Sequence, residues 1–143
     1  MTNLLSITAQ PDVAVACDMT GAEDTLTDRL TEYRRLFEHA LLSRESTATS
    51  TTFRFATRPG VREWVLDLVR REAACCPFLS YQVDQVGQDI TWTTSGGLGA
   101  SEMAIVDDFL AAEPGTGSTS STIAQQLTER SGVPVTVPAE PVT

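Results

Sequence analysis

Two thiols and a carboxylate are packed into the segment Glu72-Ala73-Ala74-Cys75-Cys76-Pro77-Phe78. On a helix, Glu72 lies three residues before Cys75 and four before Cys76, so all three share a face. Cys17 supplies a third sulfur, at the end of the apolar run Val13-Ala14-Val15-Ala16-Cys17. Orphan carbonyls and the negative dipole end gather at a helix C-terminus. That field disfavours a bare thiolate and favours a bound cation. Thiolates beside a carboxylate therefore predict a soft-metal site of Cys17, Glu72, Cys75 and Cys76, loaded with Cu(I), Zn(II) or a thiophilic heavy metal. Arg70 and Arg71 would offset part of the negative field.

The same residues support other readings. In an enzyme of the cyclase, isomerase or lyase type, the thiols would hold a metal or substrate while Glu72 moved a proton. In a non-catalytic interaction domain, the cysteines would be packing residues, as buried free cysteines commonly are. Glu72 follows Leu68 by four residues and so continues a buried stripe. A carboxylate there needs a metal, a buried hydrogen bond, or an arginine from another segment such as Arg54. Cys75 and Cys76 are not expected to bridge each other, because neighbouring Cα atoms lie about 3.8 Å apart and disulfides usually span about 4.4–6.8 Å. A bridge from Cys17 to either of them is allowed on oxidation. Freshly reduced protein is expected to carry three free thiols.

The elements that must position these groups follow from periodicity. Leu4, Leu5 and Ile7 suggest a strand or arm, and Val13–Cys17 a short strand. Thr25 and Asp28 form a capping-box pattern ahead of a helix over 26–44, with Leu26, Leu30, Tyr33, Phe37, Ala40 and Leu41 on one face. A Ser/Thr-rich loop follows. Phe53 and Phe55 alternate in a strand over 51–57, closed by Pro59-Gly60. A second helix runs over 61–76 with Val61, Trp64, Val65, Leu68 and Val69 inward, and Pro77 stops it. Strands over 80–86 and 88–95 form a hairpin around Gly87. A third helix is expected after Ser101, with Val106, Phe109 and Leu110 inward.

The order β-α-β-α-β-β-α predicts an α/β fold: a two-layer sandwich with a small mixed sheet and amphipathic helices. Residues 1–114 form the domain. Residues 115–143 form a polar linker, a short helix over 122–130, and a Pro-rich tail. That tail is expected to be dispensable from Val133 onward, although Val133, Val135 and Val137 alternate and could add an edge strand. His39, Asp107-Asp108, Trp64 and Trp92 read as surface or core residues, and Gly96-Gly97-Leu98-Gly99 as a hairpin exit rather than a phosphate cradle.

Composition narrows the function classes. The 143 residues carry a net charge of −9, which repels phosphate backbones and argues against nucleic-acid binding. No apolar run is long enough to cross a membrane. All ten basic residues are arginine, which excludes Schiff-base lysine chemistry. A single histidine excludes a His-rich metal site. The first basic residue is Arg29, so no signal peptide is expected and the cytoplasm is the expected compartment. An odd cysteine count there does not suggest a disulfide scaffold. The expected partners are a metal ion or small molecule, with a homodimer left open.

Arginine in place of lysine also reads as a GC-rich bacterial gene. Val15-Ala16-Cys17 followed by a long helix and then Glu72-Ala73-Ala74-Cys75-Cys76-Pro77-Phe78 resembles a family of small, mostly uncharacterised actinobacterial proteins. Its marks are a strand ending in Ala-Cys and a helix ending in Glu-x-x-Cys-Cys-Pro-Phe. The resemblance covers about residues 13–110 and implies Cys17, Glu72, Cys75 and Cys76 as the site, with little assigned function. The reading that unites these expectations is a cytosolic soft-metal-binding protein for metal handling or resistance.

Overall fold

Phe53 and Phe55 alternate with Thr52 and Arg54, and this alternation gives the sheet one apolar and one polar face. The computed structural model describes residues 2–10, 12–13, 16–47, 49–96, 124–125, 128–129 and 134–137. The elements are β1 (Thr2–Ile7), β2 (Cys17–Asp18), α1 (Leu26–Ala40), β3 (Leu41–Ser46), β4 (Ser50–Ala56), α2 (Val61–Cys75), β5 (Ser80–Val86), β6 (Asp89–Ser95) and β7 (Val135–Thr136). The main sheet has the order β1-β5-β6-β4-β3, with every pairing antiparallel. Both helices cover its apolar face, so the chain is the expected two-layer α/β sandwich. Parallel pairing is confined to a separate two-stranded sheet of β2 and β7.

The core joins the layers. Phe53, Phe55, Ile90 and Trp92 point from the sheet toward Leu30, Tyr33 and Leu36 of α1 and Val65, Leu68 and Val69 of α2, all buried. Tyr33 stacks on Trp92 at 5.8 Å between ring centroids, and Phe37 meets Phe53 at 5.0 Å. The outer face is polar: Thr52 and Thr93 hydrogen-bond at 3.1 Å, and Arg54 pairs with Asp89 at 3.1 Å. The Thr25 capping box forms as the sequence suggests, with Asp28 N–H donating to Thr25 Oγ1 at 3.0 Å. Gly87, at φ 61°, makes the β5–β6 turn that only a residue tolerant of positive φ supplies at low cost. Trp92 is a core aromatic, whereas Trp64 is half-buried and donates to Glu32 at 2.7 Å. His39 is exposed on α1.

Several boundaries differ from expectation. Helix α1 ends at Ala40, and Leu41 begins β3 with extended backbone. Strand β3 is an edge strand with almost every side chain exposed. It therefore lacks the apolar alternation that would have revealed it. The first strand of the main sheet is Thr2–Ile7, paired with β5, while Cys17 lies in the small sheet. The expected third helix, Asp107-Asp108 and the glycines after Gly96 lie outside the described residues. Ala124–Gln125 and Thr128–Glu129 are helical, within the expected short helix.

The tail residues that are described are tied to the fold. Cys17 N–H donates to Pro134 O and Met19 N–H to Thr136 O, both at 2.8 Å, and Val135 and Val137 pack against the core. Val135–Thr136 is thus a strand paired with β2, the added strand that the alternation of Val133, Val135 and Val137 allowed. Truncation after Gly132 should cost about 2 kcal/mol from the lost valine burial. The check is the denaturant midpoint of the truncated chain, and an unchanged midpoint would show that β7 contributes nothing.

Candidate functional site

Pro77 halts α2, so the chain turns at Cys75-Cys76 and both sulfurs sit at the end of the helix. Tyr81 of β5 reaches back to this end: its hydroxyl donates to Cys76 O at 3.1 Å, satisfying a carbonyl that the helix leaves open. Cys17 reaches the same end from β2. Its following loop is set by Asp18, whose Oδ1 accepts from the Thr20 N–H and hydroxyl at 2.9 and 2.7 Å. Cys17 and Cys76 form a disulfide across 59 residues of sequence. Cys75 is a free, buried thiol. As expected, the vicinal pair does not bridge itself. The expectation of three free thiols does not describe this state.

Charge at the site comes from a residue that the apolar stripe concealed. Arg29 is 2% exposed, on the inner face of α1. It grips Asp24 with a two-pronged fork, Nε and Nη2 each donating at 2.7 Å. Its Nη1 donates to Glu72 Oε1 at 2.7 Å and lies 3.7 Å from Cys75 Sγ. Glu72 is thus turned inward, as its position after Leu68 suggests, and its partner is an arginine of another segment. That arginine is Arg29 rather than Arg54. The available signal was spacing: Arg29 stands three residues after Leu26 and four before Tyr33, inside the buried stripe. Arg71 forms an outer layer, bonded to Glu32 at 2.8 Å and to Asp24 at 3.3 Å.

Two cavities meet at this point. The outer one, about 320 Å³, is lined by Asp18, Glu23, Asp24, Arg29, Arg71 and Cys75 among others. The inner one, about 40 Å³, is walled by Cys17, Cys75, Cys76, Tyr33, Glu72 and Arg29 with apolar neighbours. The four residues expected to form one site do converge, around this inner cavity. Cys75 lines both cavities, whereas the bridge sulfurs line only the inner one. No family model, curated protein or solved structure matches the chain.

The soft-metal reading is overturned by the chemistry of these groups. Among the described residues no three of His, Cys, Asp and Glu are grouped to hold a metal ion. Two sulfurs are consumed in the disulfide and the Glu72 carboxylate is neutralised by Arg29. The thiolate form of Cys75, which a soft metal needs, is disfavoured as well. Burial pushes its pKa up, and Arg29 only partly opposes this. The Cu(I), Zn(II) or heavy-metal centre of Cys17, Glu72, Cys75 and Cys76, and the metal-handling role built on it, are therefore withdrawn.

The carboxylates give the site a pH signature. The hydrogen bond from Arg29 holds Asp24 below its usual pKa, and that from Arg71 does the same for Glu32, each outweighing burial. In the unfolded chain these groups titrate near about 3.9 and 4.3. The stability they contribute is complete above those values. It is lost as pH falls toward the lower folded pKa values, because the unfolded state takes up protons first. Melting temperature should therefore hold from pH 7 to about 5 and drop below about 4. Asp24→Asn should flatten that acid limb. An acid limb of equal steepness in the variant would remove Asp24 as its cause.

Proposed function

We propose that this protein is a thiol–disulfide exchange protein that passes two electrons between small thiols in the outer cavity and the buried Cys17–Cys76 pair. The observation that carries the reading is the position of Cys75, the one sulfur shared by both cavities. The outer volume of about 320 Å³ falls within the range of small-molecule sites.

The exchange balances as follows. The Cys75 thiolate attacks Cys17 Sγ, forming Cys75–Cys17 and releasing Cys76 as thiolate. Cys17 is the target because a bridge between adjacent residues is geometrically disfavoured. A small thiolate RS⁻ then attacks Cys75 Sγ and frees Cys17. A second RS⁻ releases RSSR and restores the Cys75 thiolate. Two thiols outside have become one disulfide, and the protein has gained two electrons and two protons. Because burial raises the Cys75 pKa, the rate climbs with pH above neutrality. The proposed compartment is the cytoplasm, where disulfides are usually transient and catalytic or redox-sensing.

A second reading has support too. Both bridging cysteines are buried, which suits a permanent structural staple. Equilibration against graded mixtures of cysteamine and cystamine separates the two, with thiols located by alkylation and mass mapping. Exchange predicts one thiol, Cys75, at the oxidising end and three at the reducing end. Cys75→Ser should slow the approach to equilibrium by at least about tenfold while the bridge remains reducible by a phosphine. A bridge that resists every mixture, or an unchanged rate in Cys75→Ser, would establish the staple instead.

A further inference from the structure

The Tyr33 hydroxyl is the one buried side-chain polar atom without a hydrogen bond among the described residues. Tyr33 lines the inner cavity together with all three sulfurs, Glu72 and Arg29. An unmade buried hydrogen bond is costly, so a native structure that retains one calls for a guest that satisfies it. The cavity measures about 40 Å³. One water needs only about 10–15 Å³ of such free volume. The space therefore admits a molecule of a few heavy atoms. Arg29 donates to Oε1 of Glu72 at 2.7 Å, and Glu72 lines the same cavity. The walls thus offer a phenol O–H, a carboxylate oxygen and three oxidisable sulfurs to one small hydroxylic molecule.

We propose that the inner cavity binds hydrogen peroxide, and that the reduced protein consumes it to close the Cys17–Cys76 bridge. The inference rests on the exchange reading above and names the oxidant for the same site. Cys75 is the attacking sulfur, since the Arg29 guanidinium lies 3.7 Å from its Sγ. Its sulfur takes one peroxide oxygen, the O–O bond breaks, and the other oxygen leaves as water with the thiol proton. Cys17 then attacks the Cys75 sulfenic acid, forming Cys17–Cys75 and a second water. Cys76 displaces Cys75 from Cys17, giving the observed Cys17–Cys76 bridge and a regenerated Cys75 thiol. The sum is two thiols and one peroxide to one disulfide and two waters. Small thiols entering the outer cavity supply the electrons for the next cycle.

The test mixes fully reduced protein with hydrogen peroxide or with tert-butyl hydroperoxide and follows bridge closure by mass mapping, with dimedone present to trap a sulfenic acid. Hydrogen peroxide should close the bridge at least about tenfold faster than the bulky hydroperoxide, which a cavity of this size excludes. Dimedone should label Cys75, and Cys75→Ser should lose the reaction. Tyr33→Phe removes an unpaired buried hydroxyl, so a merely structural Tyr33 predicts unchanged chemistry in a fold at least as stable. The proposal predicts a rate loss of about 3- to 10-fold with hydrogen peroxide. Equal rates for the two hydroperoxides, a rate no faster than free cysteine, or an unaffected Tyr33→Phe would mean that the cavity holds ordered water only. In that event intact exchange with cystamine would leave the exchange reading standing. Loss of that exchange as well would remove both.

Discussion

Reducing the Cys17–Cys76 bridge destabilises this fold by about 4 kcal/mol, the chain-entropy value for a loop of this length. For a chain of this size that amounts to a fall in melting temperature on the order of 10–20 °C. The bridge spans 59 residues of sequence, so cutting it frees a large part of the unfolded chain. Besides the bridge, the described part of the Cys17 arm is held by the buried Met19 and by backbone hydrogen bonds to the segment around β7. Strand β2 has two residues and pairs only with the two-residue β7. The arm also carries Asp24, one of the two carboxylates around Arg29. Phosphine-treated and oxidised protein should therefore differ in both melting temperature and proteolysis of the segment before α1. Cys17→Ser and Cys76→Ser should each reproduce the reduced protein, whereas Cys75→Ser should stay near the oxidised one. A shift below about 1 kcal/mol would mean that the arm is held by packing alone. The bridge and the arm are linked, so whatever sets the redox state of Cys17 also sets how firmly Asp24 faces the cavity.

What was legible in the sequence depended on periodicity. Helices α1 and α2, the β5–β6 hairpin and β4 announce themselves because their apolar residues recur at helical or alternating spacing. Strand β3 does not, since Leu41-Leu42-Ser43-Arg44-Glu45-Ser46 sits at an edge and buries almost nothing. Residues Val135–Thr136 looked like tail because their partner is the distant Cys17, and a contact across that separation leaves no local mark. The site was legible in part. Helical spacing placed Glu72 with Cys75 and Cys76, and the cavity wall contains all three. Cys17 joins Cys75 and Cys76 around one cavity, but as half of a disulfide and not as a metal ligand. Three thiols and a carboxylate imply a metal only while the carboxylate lacks a cation and the thiols remain reduced. Arg29 supplies the cation and the bridge consumes two thiols. An arginine within an apolar stripe is the mark of a buried carboxylate elsewhere, because a buried guanidinium is rarely left unpaired.

Arg29→Met is expected to cost about 3–5 kcal/mol, since it strands Asp24 and Glu72 without their shared cation. The loss should lie toward the lower figure, because both carboxylates keep partial contact with water: their side chains are 20% and 13% exposed. Arg29→Lys should recover only part of it. An ammonium is a point charge and cannot make the two-pronged contact with Asp24 while also reaching Glu72 at 2.7 Å. Glu72→Gln tests the other side of the pair and should cost about 1.5–3 kcal/mol, the value of a hydrogen bond to a charged group. A double-mutant cycle on Arg29→Met and Glu72→Gln, read by chemical denaturation, should show a coupling above about 1 kcal/mol. The sign at Cys75 is fixed as well. Arg29 lowers the pKa of that thiol against the larger effect of burial. Removing the guanidinium should therefore raise the Cys75 pKa further and shift the alkaline rise of its alkylation rate to higher pH. Additive single-variant costs together with an unmoved alkylation profile would show that the guanidinium, though near both groups, governs neither.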